Sequence, residues 1–255
     1  MDDDAVMSVL DAAAAAVAAA LGGIDDWGLA GTRSGQYHSD LAADAAATAV
    51  IEAAGLGVLS EESGLAGPTP DDGGICVVLD PVDGSTNASR GVPWYATSLC
   101  AVDAAGARAA LVVNLSTGER FEAVRGRGAR RDGMVASPSG VTSLRRAMVG
   151  LSGYPPTWLG WNQYRALGAA ALDVCSVGAG RLDAYADCSV NAHGVWDYAA
   201  GALVCTEAGA VVADAFGRDL LVLDHTARRT PVAAATPELL AELLAARNAA
   251  VGGRS

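Results

Sequence analysis

An acidic turn at residues 80–87, which reads D-P-V-D-G-S-T-N, constrains this chain more than any other stretch. The β-type run 75–79 leads into it, so Asp80 is predicted at the end of a strand. Asp83 follows, and then a glycine and two hydroxyl residues have the composition of a helix start. Such a turn can hold divalent cations on its carboxylates and present N–H groups from Gly84 onward to a phosphate. An ordinary Asp/Pro/Gly turn has the same composition, so the turn alone leaves both interpretations open.

Charge and cysteine usage exclude some classes of function. The 255 residues carry a formal net charge of -12 without a clustered basic face, so we expect no nucleic-acid partner. The five cysteines form no C-x-x-C pair, which predicts buried free thiols in a reducing compartment. The acidic N-terminus is unlike a signal peptide, and the apolar run 12–21 is shorter than the about 20 residues that cross a bilayer. We therefore expect a cytoplasmic protein with no membrane partner.

Hydrophobic periodicity predicts an α+β fold. Helices are predicted over 5–21, 40–54, 168–175, 196–208 and 237–249. Strands separated by short turns, over 58–60, 75–79, 95–102, 109–114 and 120–124, predict an antiparallel sheet in the first half, and further strands are predicted over 148–150, 183–187 and 211–213. Since no linker interrupts the chain, we expect one domain over 1–255, with an N-terminal half to about residue 145 and a C-terminal half from about 146.

Four acidic residues stand at strand ends or helix starts, where the backbone fixes their direction: Glu61, Asp80, Asp83 and Asp197. Oxygen ligands without a His/Cys cluster predict a hard cation, Mg²⁺ or Mn²⁺. Glu61 joins such a cluster only if it points inward, because adjacent carboxylates at a strand end usually face solvent. His193, close to Asp197 in sequence, is interpreted as a surface or capping histidine in preference to a substrate contact.

The order of these motifs resembles the inositol monophosphatase family. That family carries a Glu-Glu pair, then D-P-x-D-G-[ST]-x-N, then W-D-x-A-A-G followed by E-A-G. This chain has the same motifs at 61–62, 80–87, 196–201 and 207–209, and an R-G-x-G-A loop at 125–129. The resemblance covers residues 5–250, and the joint order of the motifs disfavours coincidence.

The resemblance implies a layered αβαβα sandwich of the inositol monophosphatase and fructose-1,6-bisphosphatase type, usually a homodimer. It also implies a Mg²⁺-dependent phosphomonoesterase in which metal-activated water attacks the phosphate. Two or three ions are implied per site, with Mn²⁺ as an alternative to Mg²⁺. Glu61, Asp80 and the carbonyl of Val82 would hold one ion, Asp80, Asp83 and Asp197 the second, and Glu61 would help to hold a third.

The resemblance further assigns groups to the substrate. The N–H groups of Gly84 and Ser85 would take the phosphate, and the Ser85 hydroxyl, paired with Asp44, would orient the attacking water. Substrate hydroxyls would meet Asp83, Ala170, Asp187 and Asp197. Inositol monophosphate is the first candidate substrate, and histidinol phosphate, fructose 1,6-bisphosphate and 3′-phosphoadenosine 5′-phosphate stay open. A non-catalytic relative that binds metal or phosphate is the alternative of a different class.

Three departures from the family concern the helix before the Glu pair and the loop after Asp187. Asp40 and Asp44 share one helix face, and Asp44 lacks the threonine that precedes it in the family, while Asp40 is interpreted as a helix cap. The lysine that the family carries upstream is replaced by Arg33 or lost. The stretch 188–195 is longer than in the inositol enzymes, so we expect the leaving-group pocket to differ.

Overall fold

The computed structural model describes residues 1–31 and 35–252, and six α-helices lie in these ranges. They are α1 (Asp3–Gly22), α2 (His38–Ala53), α3 (Ser85–Ser89), α4 (Ala170–Gly178), α5 (Ala199–Ala208) and α6 (Pro237–Gly252). The predicted Arg33 correspondence lies outside the described residues.

A larger sheet occupies the first half of the chain. Its strands are β1 (Gly57–Ser60), β2 (Gly64–Ala66), β3 (Cys76–Asp83), β4 (Ala96–Asp103), β5 (Gly106–Asn114), β6 (Arg120–Val124), β7 (Ala129–Arg131) and β8 (Met134–Val135), in the order β2-β1-β3-β4-β5-β6-β7-β8. The predicted antiparallel pairing is confirmed from β3 to β8, but β1 and β3 are parallel. Because β1 and β3 are parallel, the acidic residues at the ends of the two strands lie side by side at one edge of the sheet.

A smaller mixed sheet occupies the second half. Its strands are β9 (Met148–Ser152), β10 (Gln163–Arg165), β11 (Ala184–Asp187), β12 (Val211–Asp214) and β13 (Pro231–Ala234), in the order β10-β9-β11-β13-β12. The strands β10, β9 and β11 are parallel, so Ser152 and Asp187, at the ends of β9 and β11, are directly paired neighbours.

The helices form layers around the two sheets. Helices α1 and α2 cover one face of the larger sheet, where Val6, Leu10 and Ile51 are buried against β3 and β5. The alanine-rich and glycine-containing helices α4 and α5 lie between the sheets, and α6 covers the outer face of the smaller one. Small side chains let helices approach their neighbours closely: a Cβ on Gly201 would lie 2.9 Å from Val174. The order is the five-layer αβαβα sandwich, as expected.

Two details correct the sequence interpretation. Residues Val195–Asp197 form a separate 3-10 turn before α5, so the predicted continuous helix from Trp196 is wrong at its start. The reason is that the Asp197 carboxylate accepts from the N–H of Gly194 (2.9 Å) and closes the short turn on itself. Helix α1 extends beyond the run 12–21 and, among the described residues, is the one helix whose length and composition would suffice to cross a membrane. Its buried face packs on α2 and β5.

Candidate active site

The bulge in strand β3 sets the direction of the two motif aspartates. Asp80 pairs with Ser98 of β4 and Asp83 with Ala96, so three steps on one strand oppose two on the other. An extra residue in a strand bends it locally and redirects its side chains. Asp80 is 1% exposed and accepts from the N–H of Val82 at 3.1 Å. The bulge therefore brings both carboxylates into the interior of the site.

The turn after Asp83 requires a glycine. Gly84 has φ +87°, and a Cβ placed on it would lie 3.1 Å from the carbonyl oxygens of both Gly168 and Trp94. Any side chain at this position would strain the backbone and crowd these carbonyl oxygens, so the turn favours glycine. Asn87 adds a tie, since its side-chain amide donates to the carbonyls of Trp94 (2.7 Å) and Leu167 (2.8 Å). The turn is thus fixed against the start of α4.

Three carboxylates meet at the edge where β1 and β3 end. Glu61, Asp80 and Asp197 each offer an oxygen within 4.8 Å of the other two. Glu61 continues the parallel pairing, because its N–H donates to the carbonyl of Leu79 at 3.1 Å. The sequence left open whether Glu61 points inward or faces solvent, and this convergence shows that it points inward. Its carboxylate joins the cluster.

Burial and mutual repulsion raise the pKa of the clustered acids. Desolvation first, and then the charges of Asp197 and other acids, raise the pKa of Glu61 to about 8. The same two causes raise the pKa of Asp83 to about 7, against the opposing hydrogen bond from the Ala171 N–H (2.6 Å). Burial and the charge of Glu61 hold the pKa of Asp80 well above its usual range. Like charges held this close fit a site for a divalent cation, and the all-carboxylate donor set suits Mg²⁺ or Mn²⁺.

His193 supplies a positive partner to the cluster. Its Nδ1 lies 2.9 Å from Asp197 Oδ2, and its Nε2 lies 3.1 Å from the Ser152 hydroxyl and 3.3 Å from that of Tyr185. Burial lowers the pKa of His193, but the hydrogen bond and charge of Asp197, with the charge of Asp187, outweigh it and raise this pKa to about 9. Of the preferred interpretation of His193 as a surface or capping histidine, the surface position is wrong, because the side chain is only 12% exposed and lines the site.

The structure does not make the predicted pair of Asp44 and Ser85. Asp44 accepts from the Ser60 hydroxyl, and the Ser85 hydroxyl donates to the carbonyl of Val82 at 2.8 Å. Among the described residues no hydrogen bond joins Asp44 to Ser85. The helix turn that carries Asp44 faces the buried strand β1, and Ser60 is the hydroxyl within its reach.

Asp40 and Asp173 are two acidic residues whose place in the site the sequence interpretation missed. Asp40 is 3% exposed, its charge helps to raise the pKa of Glu61 and of Asp80, and its carboxylate accepts from the N–H of Tyr37 at 3.0 Å. Asp173 accepts from the Trp94 indole at 2.9 Å, and burial raises its pKa well above the usual range. An acid within the otherwise apolar run 169–175 is the signal by which the sequence could have identified Asp173.

A cavity of about 280 Å³ opens beside Asp83. Polar side chains of Asp83, Ser152, Asp173 and His193 line it, together with backbone around Ala170. Asp187, which the resemblance places among the substrate ligands, is fully buried and does not line this cavity. Val82 precedes Asp83 at the end of strand β3, and Gly84 and Ser85 follow in the turn into α3, whereas Asp44 accepts from the Ser60 hydroxyl.

Comparisons with known proteins agree with this geometry. The sequence profile of the inositol monophosphatase family matches residues 38–251. The chain is 32% identical over 216 residues to a fructose-1,6-bisphosphatase/inositol-1-monophosphatase of Methanothermobacter thermautotrophicus, which covers 77% of each chain. It is 35% identical over 179 residues to a protein named Nus factor SuhB of Pseudomonas aeruginosa, a match that spans 63% of this chain and 64% of that relative's length.

A solved structure shares the whole architecture. The extragenic suppressor protein suhB of Bartonella henselae superimposes with a TM-score of 0.79 at 27% identity, over 96% of this chain and 99% of that one. All five layers therefore have counterparts in that structure.

Proposed function

Because this chain belongs to the inositol monophosphatase family and is a phosphomonoesterase by that membership, we propose that it hydrolyses a small polyol phosphate with the help of Mg²⁺. Inositol monophosphate is the first substrate to test. The observation that carries the proposal is the convergence of Glu61, Asp80 and Asp197 beside a cavity with polar walls. The reaction is the attack of water on the phosphorus with departure of the polyol.

The convergent carboxylates suit divalent cations, and two or three ions are proposed per site. Glu61, Asp80 and the Val82 carbonyl are proposed to hold one ion, and Asp80, with Asp83 and Asp197, a second, while Glu61 helps with a third. When bound, such ions lower the pKa of a water molecule and neutralise charge on phosphoryl oxygens. The carboxylates must lose their protons to bind them, which the raised pKa values of Glu61 and Asp83 make a pH-dependent step.

The turn at 84–85 is proposed to position the phosphate. The first N–H groups of a helix have no acceptor within it, so those of Gly84 and Ser85 are available to phosphoryl oxygens. Gly84 also keeps the backbone free of a side chain on the side where Gly168 and Trp94 approach. Fixed N–H donors at this position orient the phosphate without any rearrangement during the reaction.

The water-positioning role is proposed for the Ser85 hydroxyl together with an acid of α2. The Val82 carbonyl, proposed as a metal ligand, accepts from the Ser85 hydroxyl at 2.8 Å, so this hydroxyl lies beside the proposed metal site. Asp40 is the better candidate for the acid, because its negative charge helps to raise the pKa values of Glu61 and Asp80. Asp44, joined to Ser60, is proposed to support β1 from behind.

The proposed setting is a cytoplasmic homodimer of single-domain chains with a small phosphorylated substrate. The five free cysteines are all buried, which supports a reducing compartment. Tyr154, Trp158 and Tyr164 are exposed around β10, and exposed aromatic side chains favour an interface between protein surfaces.

Phosphate release from purified protein tests the proposal. We expect release from inositol monophosphate or from one of the alternatives, histidinol phosphate, fructose 1,6-bisphosphate or 3′-phosphoadenosine 5′-phosphate, only when Mg²⁺ is added. Asp80→Asn and Asp83→Asn are expected to lower turnover by a factor on the order of 10³ or more, while the exposed Asp71→Asn serves as the matched control. Full turnover in both site variants would contradict the proposed site, and no release by the wild type on the whole panel would favour the non-catalytic binder.

A further inference from the structure

The loop 188–195 carries His193 to the wall of the cavity beside Asp83. We propose that His193, together with Ser152, is the specificity-determining contact for the leaving group, at the position that family resemblance assigns to Asp187. The inference rests on the proposed phosphatase function and names the groups that read the substrate in this chain.

Asp187 is withdrawn from the cavity. The residue is fully buried, its Oδ1 accepts from the N–H of Ser189 at 2.8 Å, and its Oδ2 has no hydrogen-bond partner among the described residues. His193 Nε2 lies 3.9 Å from that Oδ2 and also lines the cavity. A hydroxyl in the cavity therefore meets the imidazole before it can reach the Asp187 carboxylate.

The loop that carries His193 is held firmly. The backbone of His193 exchanges two hydrogen bonds with that of Arg229, at 2.8 and 3.2 Å. Arg247 of α6 is fully buried and donates to the carbonyls of Asp187 (2.9 Å) and Ser189 (2.6 Å). A side chain on a loop tied at several points is preorganised for recognition, since little conformational freedom is lost on binding.

The imidazole ring is oriented on both of its nitrogens. Asp197 holds Nδ1, so the ring cannot flip without loss of a charge-assisted hydrogen bond. Nε2 and the Ser152 hydroxyl, 3.1 Å apart, form a polar pair on the cavity wall, with Tyr185 behind them. Such a pair suits a leaving group that carries a hydroxyl beside the ester carbon. A substrate hydroxyl adds a hydrogen bond to this pair, whereas a leaving group without a hydroxyl adds none, and this difference favours the polyol ester.

Selectivity between two substrates tests the inference. His193→Asn keeps an amide nitrogen at the Nδ1 position facing Asp197 but removes Nε2, whereas His193→Gln places an amide near Nε2. We expect His193→Asn to lower kcat/KM for inositol monophosphate, or for the best polyol phosphate found, on the order of tenfold more than for 4-nitrophenyl phosphate. The loss should lie mainly in KM, and His193→Gln should recover part of the selectivity.

Ser152→Ala gives a second and smaller perturbation of the same pair. It should shift selectivity in the same direction, and in combination with His193→Asn the two effects should not add. The exposed His38→Asn is the matched histidine control, and thermal melting together with Mn²⁺ titration reports whether each variant keeps its fold and its metal site.

Two results would overturn the inference. An equal fall on both substrates would give His193 a purely structural role, and a gain in polyol selectivity would assign recognition to the uncovered Asp187. Failure of the proposed function itself is distinguishable, because the wild-type protein would then release phosphate from neither substrate.

Discussion

At the scale of single residues, the position of a carboxylate on its element decides its chemistry. Asp40 and Asp44 lie one helix turn apart on the same face of α2, yet the charge of Asp40 helps to raise the pKa of Glu61 and of Asp80, whereas Asp44 accepts from the Ser60 hydroxyl. Their i,i+4 spacing places both carboxylates on one helix face, so the sequence alone cannot show which of them reaches the site. Which turn of the helix reaches the site depends on how α2 docks against β1 and β3, and that is set by packing across the sheet.

Gly84 gives a prediction at this scale. Gly84→Ala introduces a Cβ 3.1 Å from two backbone carbonyls and keeps a backbone conformation with φ +87° that L-residues avoid. We expect a loss of stability of about 1–3 kcal/mol and a fall in turnover of at least about tenfold, because the phosphate-binding N–H groups must shift.

Gly118→Ala is the matched control for that substitution. Gly118 also has a positive φ, +78°, but open space surrounds its missing Cβ, and it lies in a surface hairpin. Urea unfolding and phosphate release measure both variants. Equal losses of turnover in the two would contradict the special role of the 84–85 turn.

At the scale of elements, most helices and strands could be predicted because their hydrophobic periodicity is strong. The helix from Trp196 is the instructive exception. Its residues favour a helix, but the Asp197 side chain and the N–H of Gly194 form a short turn that competes with the helix for the same backbone groups. The loop 188–195 could be singled out in the sequence, whereas its ties to Arg229 and Arg247 come from distant parts of the chain.

The 3-10 turn gives a prediction at the scale of elements. A Cβ on Gly194 would lie 2.3 Å from the ring of Trp196, although the backbone there, with φ −74°, is ordinary. Gly194→Ala should therefore displace the turn that carries Asp197 and lower turnover by about tenfold or more, with a weaker affinity for Mn²⁺.

Gly22→Ala is the corresponding control, since open space surrounds its missing Cβ at the end of α1. It should leave both turnover and Mn²⁺ affinity close to the wild type. If Gly194→Ala also keeps wild-type turnover and Mn²⁺ affinity, then the packing of Trp196 does not determine the position of Asp197. Calorimetric titration with Mn²⁺ and phosphate release provide the two readouts.

At the scale of the whole molecule, the two sheets converge on one site. Helices α4 and α5 pack on both sheets, and the site draws Asp80 and Asp83 from one half and Asp197 and His193 from the other. We propose on this ground that the two halves form a single domain over 1–255. The layers follow from the predicted elements, whereas the meeting of these side chains depends on long-range pairing that no local pattern encodes.

The dependence of stability on pH is a prediction for the whole molecule. Glu61 and Asp83 have pKa values of about 8 and about 7 in the folded protein, above those of the unfolded chain. Between the unfolded and folded values the native state binds more protons, so the free energy of unfolding of the metal-free protein falls as the pH rises towards 8. A divalent cation replaces these protons, so its stabilising effect grows with pH.

Melting temperatures with and without Mg²⁺ measure this effect. The rise in Tm on adding Mg²⁺ should be larger at pH 8 than at pH 6, and Glu61→Gln should reduce the difference because it removes one titrating ligand. An equal rise at both pH values would contradict proton displacement from the cluster.

The central claim is that the convergent carboxylates hold the metal ions of a phosphatase. The anomalous scattering of Mn²⁺ in crystals grown with Mn²⁺ and phosphate tests it most directly. We predict one ion held by the carboxylates of Glu61 and Asp80, a second ion held by Asp80 and Asp197, and phosphate on the N–H groups of Gly84 and Ser85. Manganese bound only away from Glu61, Asp80 and Asp197, or a cluster that stays protonated and metal-free at saturating Mn²⁺, would contradict the account.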